Sequence, residues 1–307
     1  QSQVIRGLIN DDFTKNTGIP VDLKLVAGST LLPSILSGSG PDVYIGLDQG
    51  TVINYAIRGA LIQLENFKGF DDVWSDFTYA AQMVLEIEDA EGVMHTYGLP
   101  ETQSFSMMFV REDILAELEL EVPKTWDDVK EAIPVLQAKN MEIAMIGDSN
   151  IFIYQMGGEL FADGGMRINL DSNLALDTFK ELCDMFTQYK FPLTYDFANR
   201  FRTGEMPILI SGYTGLYNQL KVFATELDGC WTFVPVPGTL KADGTIDNHI
   251  LSGSSALVMV SGAKHVEDAW DYMKWYTGAE AQATYANEMV AIMGESAKHA
   301  TANREAL

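Results

Sequence analysis

The stretch PKTWDDVKEAIPVLQAKNMEIAMIGDSN, residues 123–150, decides the fold class. Pro123 and Lys124 lead into Thr125, a residue type that caps helix N-termini, and Asp128 stands three positions on, as in a capping box. Val129, Ala132, Ile133 and Leu136 then share one helical face. Residues 143–146 (IAMI) follow as a short apolar strand, and Gly147-Asp148-Ser149-Asn150 is the polar loop that ends it. A helix, a strand and a polar strand-end loop in succession make the repeating unit of an α/β fold.

The same alternation runs outward in both directions. Upstream, residues 21–26 (VDLKLV) alternate like a strand, 31–36 read as a short helix stopped by SGSGP at 37–41, and 42–45 read as a second strand. A helix begins at Thr51 and ends at Gly59, and residues 88–92 form a hairpin turn leading into 94–99. Downstream, Leu176, Phe179, Leu182, Cys183 and Phe186 stripe a helix. Residues 207–210 form a strand ending at Ser211-Gly212-Tyr213-Thr214, and 231–236 another, closed by Pro237-Gly238. KADGT at 241–245 is a second hairpin turn, 257–260 the last strand, and Val266, Ala269, Trp270, Met273 and Tyr276 stripe a long helix.

Composition bounds the function. The chain has 307 residues, 47% hydrophobic and 21% charged, a length that suits two lobes better than one core. Acids outnumber bases 43 to 20, for a net charge of −23, which argues against nucleic acid and anionic membrane surfaces as partners. The strongest apolar stretches, such as 256–260, are far shorter than the ~20 residues that span a bilayer. Cys183 and Cys230, 47 positions apart, read as two buried thiols rather than a disulfide or catalytic pair. His95, His249, His265 and His299 lack the i, i+4 spacing of a zinc site, so no metal or cofactor is expected.

Catalytic motifs fail on inspection. Val43 stands where a GxGxxG loop opened by Gly38 and Gly40 needs glycine, and Leu257 breaks a GxSxG elbow at Ser255. The acids of EIEDAE at 86–91 read as a solvated turn, and Asp171/Asn173 as a helix N-terminus rather than a calcium loop. What recurs is a strand followed by a small polar or aromatic loop: 46–49, 101–106, 148–150, 212–214 and 252–255. In open α/β sheets ligands bind at the carboxyl ends of strands, so such loops are equipped to grip a neutral polyol, with Tyr213 and Phe152 as stacking faces. Taken singly, each is also an ordinary turn. Trp126, Trp231, Trp270 and Trp275 lie inside helix or strand patterns and are read as packing residues.

Four stretches in order carry a resemblance. They are FTKNTGIPV at 13–21, GPDVYIG…AIRGALIQL at 40–64, YGLPETQSFSMMFVREDILAELELEVPKTWDDV at 97–129, and the region 201–307 with RTGEMPILISG, WTFVPVPG and AWDYMKWYTGAEAQ. In that order and spacing the chain resembles family 1 extracellular solute-binding proteins, the ligand receptors of ABC importers. It departs from the family at Phe109-Val110-Arg111-Glu112-Asp113, where a Tyr-Asn pair is usual.

The resemblance implies an α/β, two-lobed periplasmic-binding-protein-like fold of type II, with crossing hinge strands and a ligand cleft between lobes. Lobe 1 would hold 1–108 and 250–292, and lobe 2 would hold 109–249, with 293–307 beginning a further lobe 2 segment. Hinges would fall at Met107–Val110 and His249–Leu251. Asp48, Gln49, Gln103, Ser104, Asp148, Asn150, Phe152, Tyr213, Ser252 and Ser254 would surround the ligand, with Asp48, Asp148 and Asn150 bonding sugar hydroxyls. The implied function is non-enzymatic capture of a carbohydrate, an oligosaccharide in the first instance, for delivery to ABC permease subunits by a monomeric extracytoplasmic protein, periplasmic or a cell-surface lipoprotein. Two alternatives stay open: a glycoside hydrolase, which needs two facing carboxylates, and a receptor for a cationic or metal ligand, which the acidic balance and Tyr213/Tyr217 permit. A sensor input domain on the same fold is a third.

Overall fold

The computed structural model describes residues 2–89, 91–145, 150–163 and 167–307. The chain divides into two units, 1–104 with 252–307, and 105–251.

The first unit opens with helices α1 (Ser2–Leu8) and α2 (Thr14–Thr17), joined by a π-helical turn, then α3 (Leu31–Leu36). Strand β1 (Val43–Asp48), helices α4 (Gln49–Ile57), α5 (Phe70–Trp74) and α6 (Tyr79–Gln82), the hairpin β2 (Glu86–Glu88)/β3 (Met94–Thr96) and β4 (Leu99–Ser104) follow. The second unit runs β5 (Ser106–Arg111), α7 (Glu112–Glu117), α8 (Trp126–Gln137), β6 (Ile143–Met145), α9 (Asn150–Gln155), the pair β7 (Phe161–Ala162)/β8 (Arg167–Ile168) and α10 (Asn173–Thr187). It continues through α11 (Phe197–Thr203), β9 (Ile208–Gly212), α12 (Tyr213–Phe223), β10 (Trp231–Val234) and the hairpin β11 (Thr239–Leu240)/β12 (Ile246–Asp247). The chain then returns to the first unit with β13 (Gly253–Met259), α13 (Val266–Thr277) and α14 (Ala279–Met293).

The first unit's sheet is antiparallel in the order β1-β13-β4, so its central strand comes from the returning chain. Trp270, Met273 and Tyr276 of α13 bury against Leu99, Leu257 and Met259 beneath it. That burial, rather than local propensity, holds the helix on the sheet, because apolar area removed from water is the dominant stabilising term. The second unit's sheet has the order β10-β5-β9-β6, with β6 parallel to β9. Val129, Ile133 and Leu136 of α8 pack against Met108, Ile143 and Ile208 on one face, and Phe201, Leu216 and Leu220 cover the other. The capping box forms as the sequence predicts: Asp128 N–H donates to Thr125 Oγ1 (3.1 Å) and Thr125 N–H donates to Asp128 Oδ2 (2.8 Å). Ser172 caps α10, so Asp171 and Asn173 do flank a helix N-terminus.

Several expectations are corrected. Residues 21–26 form no strand: among the described residues none pairs with them, and Val21 and Leu23 tuck against the core while Leu25 is 91% exposed. The α10 stripe is buried only toward its C-terminal half: Leu176 and Phe179 are exposed, and Leu182 and Phe186 reach the core beside buried Met185. The two thiols are free and half-buried. Met107–Val110 lie inside β5, laddered on both sides by β9 and β10, and the chain passes between units at 104/105 and 251/252 instead. Residues 293–307 join the first unit, not the second. They do so because their backbone extends the sheet edge: Gln103 N–H donates to Ala300 O, Ala302 N–H to Glu101 O, and Asn303 is buried with its amide on Thr277 O.

Candidate functional site

Two sets of strand-end residues are described, one in each unit. In the first unit, Asp48 ends β1 and caps α4: its Oδ1 accepts from Thr51 N–H (3.0 Å) and its Oδ2 from Thr51 Oγ1 (2.6 Å). The Thr51 hydroxyl and backbone hold its carboxyl below the usual range. Gln49, the next residue, accepts the Ser254 N–H on its Oε1 (3.2 Å). Gln103 on β4 donates to Ser252 Oγ (3.0 Å) and accepts from Thr78 Oγ1 (3.0 Å). Ser252 Oγ donates to Ser104 O (3.3 Å), and Ser254 Oγ to Thr102 O (3.0 Å). The register Gly253↔Ser104 brings the two chain passages side by side. A Cβ on Gly253 would stand 2.9 Å from Ser104 Oγ, so a larger residue there would turn the Ser104 hydroxyl away. Gln49, Gln103, Ser104, Ser252 and Ser254 are therefore one hydrogen-bonded edge of amides and hydroxyls, with exposed Asp48 at its margin.

Behind that edge sits a buried carboxylate, Glu101, which the sequence pattern places in a polar loop over 101–106 and the structure places inside β4. Glu101 is 8% exposed; its Oε1 accepts from Tyr276 OH and its Oε2 from Ser255 Oγ, each at 3.1 Å. Burial pushes its carboxyl above the usual range, opposed by those two hydroxyls. Thr102 Oγ1 lies 2.6 Å from Ser255 Oγ. A β-bulge explains the placement: Ser255 pairs with Thr102 and Ala256 with Pro100, so Glu101 is an extra residue in β4. Linear sequence offers no period from which such a bulge is read.

In the second unit, β6 and β9 run parallel, so the N-termini of α9 and α12 that follow them lie at the same end of the sheet. Asn150 opens α9, half-buried, and Tyr213 opens α12. Tyr213 N–H donates to Phe105 O (2.9 Å), and its ring stacks on Phe105 at 5.6 Å and 7°, with Phe233 at 4.8 Å and Tyr217 at 5.7 Å. Its phenol is raised by burial and by Tyr217. Phe105, Phe233 and half-buried Trp231 extend the aromatic group beyond Tyr213 and Tyr217, the two members that the sequence pattern marks. Aromatic residues at pattern-legible positions 213 and 217 were the available signal.

Phe152 is corrected. It is 1% exposed with its ring 4.7 Å from Trp126, so α9 turns it into the core and it is no stacking face. The other end of the same helix is anchored by Gln155, whose Oε1 accepts from Trp126 Nε1 (2.7 Å) and whose Nε2 donates to Pro237 O (3.1 Å). Asp148 lies outside the described residues. The acids of 86–91 meet a histidine: His95 Nδ1 is 2.5 Å from Glu65 Oε1 and Nε2 is 3.0 Å from Asp89 Oδ2.

Comparison with known proteins gives a consistent picture. The family model described as bacterial extracellular solute-binding protein matches residues 2–283. The sugar-binding protein MalE of Xanthomonas citri superposes with a TM-score of 0.80 at 19% identity, over 99% of this chain and 78% of its own. An extracellular solute-binding protein of Staphylococcus aureus, solved in complex with maltose, gives 0.74 at 18% identity over 97% and 83%. The GacH receptor of Streptomyces glaucescens, solved unliganded and in complex with acarbose, gives 0.73 at 18% identity over 99% and 78%. At these identities the likeness establishes the fold. No curated protein matches the chain.

Proposed function

The chain belongs to the bacterial extracellular solute-binding proteins, and from that premise we propose that it captures a carbohydrate, an oligosaccharide in the first instance, for an ABC importer. The observation that carries the reading is the first unit's edge, where amide and hydroxyl groups of Gln49, Gln103, Ser104, Ser252 and Ser254 gather at strand ends. Such groups both donate and accept, which is what a polyol's hydroxyls require. Tyr213 supplies the second element, an aromatic face able to lie against a pyranose ring's C–H surface. Asn150 and Asp148 complete the proposed contacts. Asp48 acts first as a helix cap, with Thr51 on both carboxylate oxygens. The sugars held by structurally similar proteins, maltose and acarbose, support the same ligand class.

In this reading the protein works outside the cytoplasm as a monomer, periplasmic or anchored to the cell surface as a lipoprotein, binds without turnover and hands its ligand to permease subunits. Thermal unfolding against maltose, maltotriose, mannobiose, spermidine and divalent cations tests it. A ligand at ~100 times its Kd adds about 2.7 kcal/mol, a shift of several degrees. A sugar-selective shift with no release of shorter sugars on chromatography supports the proposal. Hydrolysis products would establish the glycosidase alternative, and a shift with cations alone the cationic one.

A further inference from the structure

Two bulges at the same level of the first unit's sheet converge on one carboxylate. On β4 the extra residue is Glu101, opposite 255–256 of β13. On β1 the register slips between Tyr44 and Leu47 against 258–256, and Gly46 there has φ 81°. A Cβ on Gly46 would stand 3.6 Å from Glu101 Oε2, so both flanking strands bend around the carboxylate. Its partners are hydroxyls, Ser255 and Tyr276. Burying a charge without a counter-ion costs stability, and a sheet that only needed filling would be better served by an apolar or amide side chain.

The chemistry of the partners says what the charge does. A carboxylate only accepts, so the single proton of Ser255 is committed to Glu101 Oε2. Ser255 Oγ must then accept from Thr102 Oγ1 at 2.6 Å, which commits the Thr102 proton as well. Thr102 is the residue before Gln103, and its carbonyl accepts from Ser254. We propose that Glu101 is a positioning residue: by holding the paired Ser255 and Thr102 hydroxyls it ties β13 to β4 at the residues next to Ser254 and Gln103, and so sets where this edge presents its donors and acceptors to a sugar. The inference rests on the carbohydrate-binding reading. An amide at this position keeps the shape but can place an N–H against Ser255, which would reverse the chain.

Glu101→Gln separates this role from a structural one. Titration calorimetry with maltose, maltotriose and mannobiose, alongside melting curves, is the experiment. The expected result is sugar affinity weakened about tenfold or more, with the Tm unchanged or raised because a buried charge has gone. Ser255→Ala, which cuts the chain and leaves the carboxylate only its Tyr276 partner, should weaken binding in the same direction, and the double variant should fall well short of the sum of the two. If Glu101→Gln does not fold, Ser255→Ala decides alone. Binding equal to wild type, or affinity lost only together with Tm, overturns the inference. A wild-type chain that binds none of the three sugars overturns the carbohydrate reading, and this inference with it.

Discussion

Tyr213 and Phe152 were alike in the sequence, each an aromatic residue just after a strand-end loop, and the structure separates them. Tyr213 is half-buried and joined to Phe105, Tyr217 and Phe233, while Phe152 is sealed against Trp126. Tyr213→Ala should weaken sugar binding about tenfold or more, whereas Tyr213→Phe, which keeps the ring, should stay within about twofold in the same titration. Phe152→Ala should instead cost about 3–5 kcal/mol of stability in denaturant unfolding. Asp48 divides in the same manner. Asp48→Ala should lower stability by ~1 kcal/mol through loss of the α4 cap, and Asp48→Asn should restore most of it.

The β2/β3 hairpin is held at its side by His95, and this element carries a pH dependence. Both imidazole nitrogens face carboxylates, Glu65 on one side and Asp89 on the other, and only the doubly protonated ring donates to both. Hydrogen bonds to Glu65 and Asp89 raise the His95 pKa above its ordinary 6.5. A group whose pKa is raised on folding stabilises fully below its unfolded value, and that contribution disappears as pH climbs through the folded one. The Tm difference between wild type and His95→Asn should therefore be greatest below about pH 6 and shrink as pH rises past 7. A difference that is flat across that range would show that the imidazolium does not latch the hairpin. Hairpin and acids were legible from turn residues, but the histidine's two partners come from sequence-distant and local positions together, which only folding assembles.

For the whole molecule, the net charge of −23 is the property to test. If the ligand is a neutral sugar held by amides, hydroxyls and an aromatic face, affinity should change less than about twofold between 0.02 and 0.5 M salt, since screening acts on charge pairs. A cationic ligand would lose affinity steeply over the same range. The division of the chain into two units follows the passages at 104/105 and 251/252, a few residues from the boundaries expected at 108 and 250. The tail after 292 was misplaced because its partner, the free edge of β4, belongs to a strand nearly 200 positions earlier, at a separation that carries no local signal.

In this sequence, linear pattern is enough for the α/β class, for the longer periodic helices and several core strands, and for the Thr125 cap, because hydrophobic period and capping chemistry act over a few residues. Its ordered motifs also pointed to the family that the chain proves to match over residues 2–283. Which residues share a surface follows instead from pairing between distant segments. Register, a bulge of one residue in β4 and another in β1 brought Gln49, Gln103, Ser252 and Ser254 to one edge and set Glu101 behind them. The same level of organisation sent Phe152 inward and left Leu25 outside. These outcomes depend on which strands become neighbours, and contacts between residues far apart in the chain leave no periodic trace in it.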